Sequence, residues 1–113
     1  MDTTASKTGI SADLIHEIAR RILTVAKPDK IIMFGSAAEN RMTPDSDIDL
    51  LIVEPQPESG NDEYVRVVRA LRGLGYPFDI LFISTEWYEE SKDVVGGIAY
   101  PASRQGKVIY DAA

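Results

Sequence analysis

Phe34-Gly35-Ser36 and, ten residues further on, Asp47-Ile48-Asp49-Leu50-Leu51-Ile52-Val53 decide how this chain is read. Leu50 to Val53 is an unbroken apolar run. It suits an interior strand covered on both faces, so a strand is expected over Asp47 to Val53. Side chains alternate along a strand, so Asp47 and Asp49 point to one face. Just upstream, Lys30-Ile31-Ile32-Met33-Phe34 is a second short apolar strand, and Gly35-Ser36 ends it. The polar stretch Ala37 to Ser46 has room for a short helix closed by Pro44.

Outward from these strands the pattern alternates. Leu14, Ile15, Ile18, Ile22 and Val25 recur at helical spacing, which predicts a helix from Ser11 or Asp13 to about Ala26 with one buried stripe. Pro28-Asp29 breaks it. After the loop Pro55 to Gly60, a helix is expected from Asn61 or Asp62 to Arg72, with Tyr64, Val67, Val68 and Leu71 inward. Gly73, Gly75 and Pro77 stop it. Phe78 to Ile83 reads as a third strand, and Ser84 or Thr85 opens a helix through Glu90. A helix over Val94 to Gln105 and a strand over Lys107 to Tyr110 complete the chain. Helices and strands in this order predict an α/β (α+β) fold, a mixed sheet flanked by helices. Met1 to Ile10 is read as a flexible leader and 11–113 as one domain.

The chain has 113 residues, 44 % of them apolar, enough for one modest core. There is no cysteine, which excludes disulfides, thiol nucleophiles and cysteine-ligated zinc. No apolar run approaches the roughly 20 residues that span a membrane. A cytoplasmic setting without membrane attachment is expected. The net charge of −6 argues against a broad grip on a nucleic-acid backbone, so no direct nucleic-acid partner is expected. Nucleoside triphosphates stay open to an acidic protein if a divalent metal neutralises the phosphates.

The acids carry the chemistry. Two neighbouring carboxylates repel each other and resist desolvation, and a divalent cation relieves both penalties. Hard Mg²⁺ held by a few carboxylates and substrate phosphates is the ordinary arrangement. Asp79 stands between Phe78 and Ile80 in an apolar strand, where an uncompensated carboxylate is costly. If the third strand pairs beside the second, Asp79 joins Asp47 and Asp49, and three carboxylates can hold two metal ions for phosphoryl transfer. Gly35-Ser36 offers a turn on which a phosphate can sit closely. Each feature alone has a plainer reading, as a solvated strand end, a simple turn or a salt-bridged acid. Their complementary chemistry at the mouths of strands favours a site.

These residues resemble a known family. Gly35-Ser36, ten residues, then Asp47-Ile48-Asp49 is similar to the G-S-x10-D-x-D signature of the DNA polymerase β-like nucleotidyltransferase superfamily. The flanking strand resembles the minimal nucleotidyltransferases in particular. The resemblance implies that Asp47 and Asp49 bind Mg²⁺ and orient ATP, and that Asp79 binds the catalytic metal and helps deprotonate the acceptor. It also implies that Gly35 and Ser36 hold the terminal phosphates. That family usually carries arginine soon after Gly-Ser. Here Ala37 to Asn40 intervene, and Arg41 is the residue available to stand in. The resemblance further implies a partner: an antitoxin of this kind transfers AMP to a tyrosine of a HEPN-domain toxin, with homo- or hetero-oligomers open. Transfer to a small hydroxyl compound and a non-catalytic binding module are the competing readings.

Other residues are assigned blander roles. Arg66, Arg69 and Arg72 read as a solvated basic helix face. His16 has no assigned role. Trp87, Tyr88 and Tyr100 read as core or interface packing, and Glu86, Glu89 and Glu90 as a solvated charge run.

Overall fold

A computed structural model describes residues 10–35, 46–57, 61–95 and 106–112. The described elements are α1 (Ala12–Leu23), β1 (Lys30–Phe34), β2 (Ile48–Glu54), α2 (Asp62–Ala70), β3 (Phe78–Ser84), α3 (Thr85–Ser91) and β4 (Lys107–Asp111). The four strands form one sheet in the order β3-β2-β1-β4. β1 runs antiparallel to both β2 and β4, whereas β2 and β3 are parallel. Parallel neighbours need a crossover, and α2 supplies it. The expected mixed sheet with helices is the observed architecture.

Strand alternation divides the core in two. Ile31 and Met33 of β1, Ile48, Leu50 and Ile52 of β2, and Ile80 of β3 share one face with Ile18 and Ile22 of α1 and Val67 and Leu71 of α2. Ile32, Leu51, Val53 and Ile83 share the other with Tyr88 of α3, and Phe34 packs against them. β2 is buried along nearly its whole length, as its continuous apolar sequence requires. Each such fully buried aliphatic side chain contributes about 1.5–3 kcal/mol.

The helix ends follow their caps. Ser11 accepts a hydrogen bond from the Leu14 amide at 3.1 Å, and Ser84 accepts one from Trp87 at 3.0 Å. Both satisfy orphan first-turn donors. α1 ends at Leu23 rather than Ala26, and Thr24 takes the C-cap. The Arg21 guanidinium crosses to α2 and donates to the carbonyls of Ala70 (3.3 Å) and Arg72 (2.9 Å). It thereby satisfies acceptors at the C-terminal end of α2. Glu17 holds Arg21 at 2.7 Å and Arg20 at 2.6 Å.

Several expectations are corrected. Tyr64 and Val68 are 42 % and 36 % exposed, not inward. The buried stripe is instead Glu63 and Val67 of α2 and its C-cap Leu71, at four-residue spacing. Tyr64 and Val68 line an outer groove with Tyr76 and Phe78. Of the aromatics read as core or interface packing, Tyr88 lies in the core and Trp87 is 58 % exposed at the surface. Val94 and Val95 lie in a turn, not at a helix start. The rest of that expected helix with Tyr100, the short helix after Ser36 and the N-terminal leader to Gly9 lie outside the described residues. Among the described residues no helix is long and apolar enough to cross a membrane.

Candidate active site

β2 and β3 place two acids side by side. In their parallel register Asp49 pairs with Asp79, Ile48 with Phe78 and Leu50 with Ile80. Ile48, Leu50, Phe78 and Ile80 belong to the helix-covered core. Alternation therefore turns Asp49 and Asp79 to the opposite face, in phase with Leu51, Val53 and Ile83. Asp47 lies one residue before β2 and is exposed, and Asp79 is exposed as well. The amide of Ile48 donates to the carbonyl of Pro77 at 2.9 Å, which ties the two strand entrances together.

Asp49 bears the electrostatic consequence. Its pKa is raised above the usual carboxylate value, first by burial and then by the negative charges of Asp79 and Asp47. All three acids thus act on one locus, and among the described residues no cation offsets them there. A divalent cation is the species that would relieve it, and three carboxylates are the donor set that hard Mg²⁺ favours. Among the described residues no three side chains are already closed into a metal-holding group. Rotation of the exposed Asp47 and Asp79 about their side-chain bonds is the motion that would draw them in.

β1 brings the glycine turn to the same place. Phe34 pairs with Asp49 across the antiparallel ladder, and Gly35 follows at φ 71°. The connection that leaves at Gly35 returns at Ser46, beside the acids. Ser36 and Arg41 lie outside the described residues. Arg69 is exposed on α2 and Arg72 in the turn that follows it. His16 is exposed on α1, and Glu86, Glu89 and Glu90 are exposed on α3, with Glu89 bridging to Lys92 at 2.7 Å. One cleft of about 400 Å³, lined by Val25, Lys27, Glu54 and Gln56, sits at the opposite end of β2. Phe34, which the sequence marks as the end of a strand, shares the acidic face, as the alternation Ile32, Phe34 requires.

Comparison with known proteins bears on the family and the fold. The chain belongs to the nucleotidyltransferase domain family, whose profile matches residues 15–100. That membership makes it a nucleotidyltransferase domain. A search of curated proteins finds no match. Among solved structures, one of a toxin–antitoxin with AMP-PNP superposes with a TM-score of 0.64 at 17 % identity. That match covers 90 % of this chain and 74 % of the other. A Sulfolobus solfataricus protein provisionally assigned as a nucleotidyltransferase superposes with a TM-score of 0.61 at 21 % identity, covering 99 % of this chain and 91 % of the other. At these identities the likeness is one of fold.

Proposed function

We propose that this protein transfers AMP from ATP to a hydroxyl group, most specifically a tyrosine, of a partner HEPN-type toxin, and so acts as an antitoxin. The observation that carries the reading is the pairing of Asp49 with Asp79, beside Asp47 and Gly35, in a chain of the nucleotidyltransferase family. The fold likeness to a toxin–antitoxin structure with AMP-PNP supports both the nucleotide and a protein partner.

In this reading Asp47 and Asp49 hold Mg²⁺ and orient the triphosphate, and Asp79 completes the set for two ions. When bound, the metal neutralises the phosphate oxygens and the three acids. Gly35 and Ser36 receive the terminal phosphates, with Arg41 as their guanidinium partner. The acceptor oxygen forms a bond to the α-phosphorus, the bond from that phosphorus to the bridging oxygen breaks, and pyrophosphate leaves. The hydroxyl proton passes to a carboxylate oxygen of Asp79. Positioning and preorganised charge supply most of the rate.

The test incubates the protein with Mg²⁺, α-labelled ATP and the product of its neighbouring gene, and follows label on each chain. Asp47→Asn and Asp49→Asn run alongside. Label on the partner that both substitutions abolish is the expected result. Tight partner binding without label from any nucleoside triphosphate would replace this reading with neutralisation by contact.

A further inference from the structure

Gly35 meets two demands that are separable. Its φ of 71° lies in the left-handed region, where a side chain is strained. Independently, a Cβ at this position would collide with Oδ2 of Asp49 and would lie 3.2 Å from its Cγ. Asparagine tolerates the first demand, but any residue with a Cβ forces the Asp49 carboxyl to shift.

The backbone has little room to yield. Phe34, immediately before Gly35, is locked opposite Asp49 in the β1–β2 ladder. Met33 is paired on both sides, with Leu50 of β2 and Lys107 of β4. A side chain at position 35 therefore presses on the softer partner, the Asp49 carboxyl. On its other side Asp49 adjoins Asp79 in the register. A carboxyl pushed off Gly35 changes its aim relative to that neighbour.

We infer that Gly35 is a positioning residue for Asp49: its bare α-carbon forms the wall against which the Asp49 carboxylate is held in line with Asp79. This role is distinct from close approach of the turn to a phosphate, because it operates with no nucleotide present. The consequence for metal binding rests on the reading of Asp49 as a ligand. The packing relationship does not.

Two measurements separate these. A double-mutant cycle of Gly35→Ala and Asp49→Ala, followed by thermal melting without metal, reads the packing directly. The Tm lost through Gly35→Ala should be measurably smaller in the Asp49→Ala background, since removing the carboxyl removes the collision. That background also gives Gly35→Ala a folded state if it is unstable alone. Gly35→Asn, which relieves only the φ strain, should keep the part of that loss that comes from the Asp49 carboxyl. Mn²⁺ binding followed by electron paramagnetic resonance, with no nucleotide, reads the second consequence. Affinity should fall about 10–100-fold in Gly35→Ala, as when the support of a metal ligand is removed.

Equal Tm losses in both backgrounds, or full recovery by Gly35→Asn, would overturn the inference and leave backbone strain as the whole reason for glycine. Undiminished Mn²⁺ binding by Gly35→Ala, where the native chain binds, would overturn it too. A coupled cycle in a native chain that binds no Mn²⁺ would uphold the wall against Asp49 and remove the metal reading instead.

Discussion

The two faces of the sheet are built from the same strands and do opposite things. On one face α1 and α2 close over Ile31, Met33, Ile48, Leu50, Ile52 and Ile80, and everything central is buried. On the other, α3 brings Tyr88 onto Val53 and Ile83, while Asp49 and Asp79 occupy the entrance of the parallel pair. The first face stabilises. The second gives up burial at one end and gathers negative charge there. Their alternation along a single strand, Phe78-Asp79-Ile80-Leu81, means that one residue step separates packing from chemistry.

Neighbouring residues of β3 test that division most strongly. Ile80 is 5 % exposed on the packed face and Leu81 is 36 % exposed on the other. Ile80→Ala should cost about 2–4 kcal/mol by urea melting, and Leu81→Ala about 1 kcal/mol or less. Equal costs would erase the contrast between the faces.

Asp49→Asn should separate activity from stability. Nucleotidyl transfer should fall by at least about a hundredfold, near 2.7 kcal/mol of barrier, in a labelled-ATP assay. Stability without metal should move the other way. The folded pKa of Asp49 is raised, so the folded chain holds this proton more tightly than the unfolded chain does. Stability is then lost as pH rises from 3.8 through the raised value, and the charged carboxylate burdens the fold at neutral pH. Asn removes that burden, and Tm at pH 7 should rise by roughly a few degrees. A lower Tm would mean that Asp49 serves the core and not the site.

A smaller effect is expected on the packed side. Arg21→Ala removes the two hydrogen bonds that one guanidinium nitrogen donates to the carbonyls of Ala70 and Arg72 and should cost about 1 kcal/mol, with transfer activity per folded molecule unchanged. The smallest concerns Glu17, whose pKa is lowered from 4.5 to about 2 by hydrogen bonds from Arg20 and then Arg21. Its stabilisation is complete above 4.5 and disappears as pH falls toward 2, so Glu17→Gln should flatten the acid limb of a melting profile in that window. An unchanged limb would show that the exposed pair is fully screened by solvent.

Composition and spacing carried most of the architecture. Apolar strands, helical stripes and the stops at Pro28, Gly73 and Pro77 are local features, and each constrains the few residues around it. Strand alternation predicted Asp47 and Asp49 on one face, but the strand begins at Ile48, so Asp47 stands just outside it. The inward face of α2 was misread because apolar residues at Tyr64 and Val68 suit an exposed groove as well as a core. Glu63 took an inward position that its charge disguised. The bridge from Arg21 to α2 was equally hidden, since its acceptors are backbone carbonyls that no side-chain pattern marks.

What the sequence by itself determined is the four strands, the helices α1, α2 and α3, and the presence of acids near the starts of β2 and β3, because period and residue type act over a handful of neighbours. Only the tertiary structure decided that β3 runs parallel beside β2 in a register that aligns Asp79 with Asp49. Only it brought Gly35 against the Asp49 carboxyl. Pairing between strands is set by which faces must be buried together, and that is a property of the whole chain folded at once.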